Sequence, residues 1–201
     1  MDTNTALAVA KYDAHADKFA ERALTLCMQP QLEEFSRLTT PGALVLDAGC
    51  GSGKDFGPLG LCGFRAIGVD LSRGLLAHAG EVPGALLARA DIGRLPFPDA
   101  AFDGVWACSS LVHFDMLGAG RVLRELRRAL KPWGSLYASV KFGDDTGEWT
   151  DSEVVGRRWF QLWLTVPVVS VHPFRLIPYT GSGVSVHPSR GFPYTWQMGP
   201  A

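Results

Sequence analysis

The sequence predicts an open, doubly wound α/β fold, in which helices cover both faces of a mostly parallel, twisted sheet. Short, continuous apolar runs recur along the first 140 residues, and segments with helical periodicity lie between them. Continuous apolar runs are typical of parallel strands that are buried on both faces. Alternation of such strands with helices indicates a doubly wound sheet, whose ligand site is expected at the carboxyl ends of the strands.

Each predicted element follows from a local pattern. The apolar runs predicted as strands are 43–48, 65–69, 85–90, 102–108 and 135–140. The clearest helix is 120–131, which has one apolar stripe and which we expect Pro132 to end, because proline lacks an amide donor. Before the first strand, the spacing predicts an amphipathic helix over 12–28 and a shorter one over 31–38.

Composition limits the class of protein. The 201 residues are 47% hydrophobic and 19% charged, which predicts one domain with a sizeable core and excludes a disordered chain. With 19 basic and 20 acidic residues, there is no overall basic field to hold nucleic acid or anionic lipid. The four cysteines form no CxxC pair, and we find no signal peptide and no apolar run of membrane-spanning length. These observations predict a cytoplasmic protein with reduced thiols and no membrane partner.

Polar and glycine residues follow the predicted strands where a ligand would bind. The first strand leads into the run D-A-G-C-G-S-G from Asp47 to Gly53, and Asp70 follows the second strand 23 residues after Asp47. At that separation a strand-end carboxylate can accept hydrogen bonds from both ribose hydroxyls. A glycine-rich loop alone also fits a tight turn that binds nothing. Lys54 replaces the third glycine of a dinucleotide fingerprint, and Asp47 would repel a pyrophosphate, so the pattern favours a ribose-bearing ligand that is cationic near the loop.

These segments together resemble the class I S-adenosylmethionine-dependent methyltransferases. Segment 45–53 resembles the signature loop of that family and 68–72 resembles its second motif. The further matching segments, in the family's order, are Asp91, 95–99, 102–103 and 130–134. The resemblance extends from about residue 12 to 163, with Trp133 where glycine is common and Lys54 where arginine is frequent. It implies a Rossmann-like fold, methyltransferase activity and S-adenosylmethionine as cofactor.

The resemblance also implies roles for individual residues. The residues expected around the methionine end of the cofactor are Asp47, Gly49, Gly51, Gly53, Cys108 and Ser109. The residues expected around its adenosine end are Asp70 at the ribose and Leu71, Asp91 and Ile92 at the adenine. Tyr12, on the first helix, is expected to close over the cofactor as a lid.

The chemistry of a sulfonium limits what the protein must supply. The methyl group is already activated, so alignment of the nucleophile and exclusion of water can contribute roughly 7–11 kcal/mol without a catalytic side chain. A general base is needed only for some acceptors and contributes about 10²–10⁴-fold. His113 is the candidate base, and the alternative is a histidine that only shapes the pocket. No metal site is expected.

The acceptor is expected to be a small molecule. The chain has no Asn-Pro-Pro-Tyr loop and no Pro-Cys pair of the kinds found in enzymes that methylate nucleic-acid bases. The arginines on the predicted helix 120–131 are interpreted as a solvated face and not as a nucleic-acid site. Trp149 and segment 156–163 either line an acceptor pocket or pack in the core. The alternative function is a non-catalytic S-adenosylmethionine-binding or interaction protein that has lost its acceptor site.

Composition changes abruptly near Leu164. Residues 165–201 contain no aspartate, glutamate or lysine but hold six prolines, and 170–180 repeats at 185–195. Three interpretations are open: a natural proline-rich extension, a hairpin of the two repeats, or a shifted reading frame, which the composition favours. The C-terminal strands of the sheet are therefore expected to be incomplete and the edge beside the fifth strand exposed. The expected domains are a helical cap over 1–42, the cofactor-binding core over 43–163 and an atypical tail over 164–201.

Overall fold

A computed structural model describes residues 3–26, 28–142, 146–150, 157–163 and 176–177. The helices are α1 (Thr3–Ala14), α2 (Ala16–Ala23), α3 (Gln29–Leu38), α4 (Phe56–Leu61), α5 (Arg73–Ala79) and α6 (Met116–Ala129). The strands are β1 (Leu44–Ala48), β2 (Arg65–Asp70), β3 (Leu86–Arg89), β4 (Phe102–Ala107), β5 (Leu130–Ala138), β6 (Lys141–Phe142), β7 (Thr146–Thr150), β8 (Arg157–Trp163) and β9 (Leu176–Ile177). A 3₁₀ turn at Leu111–His113 precedes α6.

The main sheet confirms the predicted fold class. Its strand order is β3-β2-β1-β4-β5-β9, and every neighbouring pair is parallel. The chain runs outward from β1 to β3 and then crosses to β4 on the other side of β1. The strand order therefore reverses between β1 and β4, where a doubly wound sheet opens its ligand crevice at the carboxyl ends of the strands.

Within the part of the chain that the structure describes, the C-terminal side of the sheet is not closed, as predicted. β9 pairs with β5 only at Leu136–Leu176 and Tyr137–Ile177. This short pairing corrects the expectation that the edge of β5 is bare, although it covers only two residues of a nine-residue strand. The two repeats and the rest of the tail lie outside the described residues.

Two apolar layers sandwich the sheet and explain why the strands are continuously hydrophobic. On one face, α6 buries Leu126 against a cluster that includes Leu46 and Val105. On the other face, Phe35 of α3 packs with Trp106, which belongs to a second cluster. These five side chains are at most 1% exposed, and full burial of each contributes roughly 1.5–3 kcal/mol.

The predicted helix over 12–28 is wrong in its extent. The chain forms two helices that separate at His15, whose backbone is not helical. The break accompanies two long-range contacts that the local pattern does not contain. Asp13 at the end of α1 accepts hydrogen bonds from Ser72 and Gly74 at the start of α5, and Asp17 of α2 contacts His78 of α5 at 2.8 Å. The predicted helix over 31–38 is confirmed as α3, which begins two residues earlier.

The end of α6 and the start of β5 also differ from prediction. The helix ends at Ala129, and Leu130 already has the extended backbone with which β5 begins. Pro132 therefore lies inside the strand and not at the end of the helix. It disfavours helical backbone at Lys131, the residue before it, so the helix ends upstream of both. Arg128 is not solvated as expected: its guanidinium donates to Glu125, to Asp99 and to carbonyl oxygens of the 95–99 turn.

A small second sheet follows the main one. Its order is β6-β8-β7, with β7 and β8 antiparallel. β8, which contains most of the predicted aromatic segment 156–163, lies near α1 and near the 3₁₀ turn. Among the described residues, none of the helices has the length and apolar character needed to cross a bilayer.

Candidate active site

The glycine loop after β1 is held against β2 by its own backbone. The amides of Gly49 and Cys50 donate to the carbonyl oxygen of Val69 at 2.8 and 3.0 Å, and the amide of Gly51 donates to Asp70 at 2.9 Å. Gly49, Gly51 and Gly53 have φ values of +82°, +54° and +81°. Only glycine adopts this backbone without strain, so the sequence D-A-G-C-G-S-G specifies the turn directly.

Space as well as backbone conformation restricts two of these positions. A Cβ atom at Gly49 would lie 2.6 Å from the Cβ of Ser110, and a Cβ at Gly53 would lie 3.1 Å from Ala79. At Gly51 the nearest side chains are 3.9 Å away. Gly49 therefore lets the loop after β4 approach the loop after β1, and Gly51 leaves the loop open towards a cavity.

A cavity of about 500 Å³ opens at the carboxyl ends of β1, β2 and β4. This volume is in the range of small-molecule sites. Nine of the predicted site residues line it: Tyr12, Gly49, Gly51, Asp70, Leu71, Ile92, Cys108, Ser109 and His113. The remaining three, Asp47, Gly53 and Asp91, lie outside its lining. Residues from α1, α2, the segment between α2 and α3 and the loop after β4 form an apolar wall that comprises Ala8, Val9, Phe19, Leu26, Met28, Val112 and Phe114.

Asp70 connects the glycine loop to the cavity. One carboxylate oxygen accepts from the amide of Gly51 and the other from the amide of Ser72, each at 2.9 Å. Burial raises the pKa of Asp70 and these backbone hydrogen bonds oppose the rise, with a net increase. A carboxylate can accept about four hydrogen bonds, so acceptor capacity remains for hydroxyl groups of a ligand.

Asp47 lies beneath the glycine loop and is only 1% exposed. Among the described residues, its Oδ2 atom has no hydrogen-bond partner. Burial, with the carboxylates of Asp55 and Asp70, raises the pKa of Asp47 well above its ordinary value, although Lys54 acts in the opposite direction. A buried carboxyl group in this position is stabilised by any cation that enters the neighbouring cavity.

The adenine side of the predicted site is formed by two loops. Leu71 lines the cavity, and its carbonyl oxygen accepts from the Nε of Arg89 at 2.8 Å. Ile92 also lines the cavity, whereas the carboxylate of the preceding Asp91 accepts from the amide of Gly93 at 2.8 Å. Asp91 therefore shapes the turn that presents Ile92.

The predicted lid and the predicted base are in direct contact. The hydroxyl group of Tyr12 lies 3.1 Å from Nε2 of His113, and the two rings pack edge to face at 5.6 Å. Phe19 packs edge to face on the other side of Tyr12 at 4.8 Å. The N-terminal helices thus reach the loop after β4 across the cavity, and Asp13 joins them to α5 on the opposite side.

The loop after β4 is strained where it borders the cavity. Ser109 has a φ of +59°, a conformation that costs about 1–3 kcal/mol for a residue other than glycine. Its amide donates to the Oγ of Ser139 at 2.7 Å, and Ser139 also lies 3.8 Å from the sulfur of Cys108. Burial raises the pKa of the Cys108 thiol, which is therefore neutral at physiological pH.

Sequence reasoning missed a partly buried ion pair at the cavity. The ammonium group of Lys54 lies 2.7 Å from both carboxylate oxygens of Asp55, and Asp55 also accepts from Nε1 of Trp106 at 3.0 Å. Trp106 is fully buried and stacks on Tyr137. Lys54 and Asp55 follow the glycine loop directly, so their position in the chain was a signal that could have been used.

The residues at this cavity fit S-adenosylmethionine. A carboxylate with free acceptor positions suits the ribose, and the open side of Gly51 suits close approach to backbone. The unpartnered oxygen of Asp47 suits the positive charge of a sulfonium or ammonium group nearby. The cavity volume of about 500 Å³ is in the range expected for a ligand of this size.

Comparison with known proteins agrees with this fit. Residues 46–138 match a family model described as a methyltransferase domain. The chain is 40% identical over 103 residues to malonyl-[acyl-carrier protein] O-methyltransferase of Erwinia pyrifoliae, covering 48% of this chain and 36% of that protein. It is 30% identical over 130 residues to an O-methyltransferase of Aspergillus sclerotiorum, covering 60% and 48% of the two chains.

Solved structures show the same fold. A crystal structure from Bacillus halodurans C-125, assigned as a methyltransferase, matches with a TM-score of 0.51 at 20% identity, over 59% of this chain and 53% of that one. The chain spans less than two thirds of the length of these curated relatives. The fold, the glycine loop and the family match over residues 46–138 support assignment of this domain to the class I S-adenosylmethionine-dependent methyltransferases.

Proposed function

We propose that this chain transfers a methyl group from S-adenosylmethionine to a small, largely apolar acceptor. The observation that carries the proposal is one cavity in which the glycine loop and Asp70 meet an apolar wall and the contacting pair Tyr12 and His113. When bound, S-adenosylmethionine supplies a methyl group that its sulfonium has already activated. The protein then has to bind the cofactor and the acceptor, orient them for transfer and exclude water. Such positioning alone accounts for a large part of the rate enhancement.

The cofactor-binding residues in this proposal divide into two groups. Asp70 receives the ribose hydroxyls, while Leu71 and Ile92 pack on the adenine. Gly49, Gly51, Cys108 and Ser109 surround the methionine end. Asp47 and Gly53 act from beneath the loop, Asp47 through its charge and Gly53 by allowing the turn, and Asp91 acts by shaping the loop that presents Ile92.

The wall opposite the glycine loop supports an apolar acceptor. Many of its side chains from α1, α2 and the loop after β4 are hydrocarbon or aromatic, while the polar lining residues on these elements are Thr5, Tyr12, Arg22, Cys108, Ser109, Ser110 and His113. The backbone of β8 lies near α1 and the 3₁₀ turn, so the aromatic segment 157–163 is close to this wall. The names of the two relatives above are those of O-methyltransferases, and we propose an oxygen acceptor here as well.

His113 takes the proton of the acceptor in this proposal. Its ring lines the cavity, and its contact with Tyr12 fixes the ring beside the apolar wall. A hydroxyl acceptor loses its proton as the new bond to carbon forms, and a positioned imidazole contributes about 10²–10⁴-fold to such a step. Tyr12 acts as a positioning residue, which also closes this side of the cavity to water.

The proposal is tested by two measurements on the same protein. Calorimetry is expected to show binding of S-adenosylhomocysteine, and incubation with methyl-labelled cofactor and a fractionated metabolite extract is expected to label a small, apolar product. Binding without transfer to any fraction would favour the non-catalytic alternative, and absence of binding would overturn the proposal altogether.

Variants then distinguish a role of His113 in proton transfer from a role in cofactor binding. His113→Asn is expected to lower the rate of transfer by about 10²–10⁴-fold while the affinity for S-adenosylhomocysteine stays the same. His15→Asn, at an exposed position between α1 and α2, is the matched control and is expected to change neither quantity. A loss smaller than tenfold for His113→Asn would mean that this histidine only shapes the pocket.

A further inference from the structure

Lys54 is a partly buried cation that has no role in the proposed function. Its side chain is 16% exposed, lines the cavity and follows the last glycine of the loop. A lysine is rarely buried without a defined partner, because desolvation of the ammonium group is costly. Here burial lowers the pKa of Lys54, but the neighbouring acidic groups outweigh this effect and its pKa is raised, so the amine is charged.

The position of the ammonium group is determined by the core. The side chain of Asp55 is 8% exposed. Both of its carboxylate oxygens accept hydrogen bonds from Nζ of Lys54, and one of them also accepts from the indole N–H of Trp106. Trp106 is fixed in turn by stacking on Tyr137, with ring centroids 3.9 Å apart. Lys54 is therefore held at the cavity wall by a rigid chain of contacts, which is how a preorganised binding group is usually supported.

On one side, the ammonium group of Lys54 has only a weak hydrogen-bond acceptor. An ammonium group has three N–H donors, and both oxygens of Asp55 lie together at 2.7 Å. On the cavity side its contact is the sulfur of Cys108 at 4.0 Å, which is a weak acceptor and is neutral. A carboxylate in the cavity would be a much stronger partner for the same donor.

The charges around the loop show why a cation is needed at this point. Asp47, Asp55 and Asp70 all lie at this end of the cavity, and together they would repel a ligand carboxylate. The amino-acid end of S-adenosylmethionine carries both an ammonium and a carboxylate group. We propose that Lys54 binds the carboxylate of this amino-acid end, an inference that rests on the proposed function.

A carboxylate on the acceptor would have the same chemistry, so the test must distinguish the two sources. Affinities of S-adenosylhomocysteine and S-adenosyl-3-thiopropylamine, which differ only by the carboxylate, are measured by calorimetry without any acceptor. The wild-type protein is expected to prefer S-adenosylhomocysteine by roughly 10- to 100-fold. Lys54→Met is expected to remove this preference, whereas Lys54→Arg and the exposed control Lys18→Met are expected to keep it.

Removal of Lys54 leaves Asp55 as a buried charge, which can destabilise the fold. Lys54→Met combined with Asp55→Asn removes that charge while keeping an acceptor for Trp106, and it is expected to show the same loss of preference. An unchanged preference in Lys54→Met and in the double variant would overturn the inference. Lys54 would then have another role, such as binding a carboxylate of the acceptor. Equal wild-type affinity for the two compounds would overturn the inference alone, and no wild-type binding of either would overturn the proposed function with it.

Discussion

The two ends of the parallel strands are built in different ways. At the carboxyl ends, Gly49 and Ser109 have left-handed backbone, and Asp47 has a buried oxygen that has no partner among the described residues. At the amino ends, the carboxylate of Asp103 accepts from the amide of Leu44 at 3.0 Å and pairs with Lys131 at 2.7 Å.

The difference shows where this fold leaves a carboxyl group without a partner among the described residues. Polar groups at the amino ends satisfy one another, as in most of a folded protein. Left-handed backbone outside glycine occurs at both ends, at Ser109 and at Trp133, but the buried carboxyl oxygen without a partner among the described residues lies at the carboxyl ends, as expected of a site that a ligand completes. Substitutions at the two ends should therefore have different consequences for binding and for stability.

The largest effect is expected from Gly49→Ala. The position imposes left-handed backbone at φ +82° on the new alanine. Its Cβ would lie 2.6 Å from the Cβ of Ser110, so the loops after β1 and β4 must separate. We expect a loss of about 2 kcal/mol or more in the free energy of unfolding and at least a hundredfold loss in affinity for S-adenosylhomocysteine. Chemical denaturation and calorimetry measure the two.

Two further variants divide this effect into its causes. Gly57→Ala, in α4, has nothing within 4 Å of its new Cβ and is expected to leave binding unchanged. Gly49→Ala with Ser110→Gly removes the steric contact but not the left-handed backbone, so only partial recovery is expected. A Gly49→Ala protein that binds as tightly as wild type would break the comparison between the two ends.

The next largest effect is expected from Asp70→Ala. The variant loses the acceptor for ribose hydroxyls, each worth about 1.5–3 kcal/mol, and also releases the amides of Gly51 and Ser72. We expect the affinity for S-adenosylhomocysteine, measured by calorimetry, to fall about a hundredfold or more. Asp103→Ala is the matched control from the amino ends: it should lower stability by about 1 kcal/mol and leave the affinity unchanged. Equal affinities for Asp70→Ala and wild type would contradict the assignment of the ribose site.

A smaller effect that depends on pH is expected from Asp47→Asn. The pKa of Asp47 is raised in the folded state, so between its unfolded and folded pKa values the folded protein binds more protons than the unfolded chain. Its contribution to stability is therefore present below about pH 4 and is lost as the pH rises through the folded pKa. Asparagine does not titrate, and the variant is expected to gain about 1 kcal/mol over wild type at pH 8.

Denaturation at several pH values between 5 and 8 measures this difference. The raised pKa of Asp70 has the same sign, and because the carboxylates of Asp47 and Asp70 repel each other, Asp47→Asn also eases the ionisation of Asp70 and acts in the same direction. The advantage of Asp47→Asn should grow with pH, and the variant should bind S-adenosylhomocysteine more weakly than wild type. An advantage that is independent of pH would mean that Asp47 is not held as an uncompensated buried acid.

Local sequence patterns predicted those parts of the molecule whose structure depends on residues close together in the sequence. Burial on both faces is encoded within each strand, and the glycine loop specifies its own turn, so the sheet and the positions of Gly49 and Asp70 followed from the sequence. The break between α1 and α2 did not, because it accompanies contact of Asp13 with Ser72, 59 residues away. The Lys54–Asp55 pair escaped notice for a similar reason, since Trp106 supports it from 51 residues further along the chain.

The smallest effect is expected at the amino ends, from Trp133→Gly. Trp133 has a φ of +67° and is 80% exposed, so its side chain provides little burial to offset the cost of left-handed backbone. That cost is about 1–2 kcal/mol, and glycine loses about 0.5–1 kcal/mol more entropy on folding, which leaves a net gain of about 0.5–1 kcal/mol. Chemical denaturation of Trp133→Gly and of Trp133→Ala, which keeps the backbone cost, measures the gain. Only the glycine variant should be more stable than wild type, and neither should alter affinity for S-adenosylhomocysteine. A gain of the same size in both variants would show that the indole, and not the backbone, destabilises this turn, whereas altered affinity would show that the two ends of the sheet are coupled.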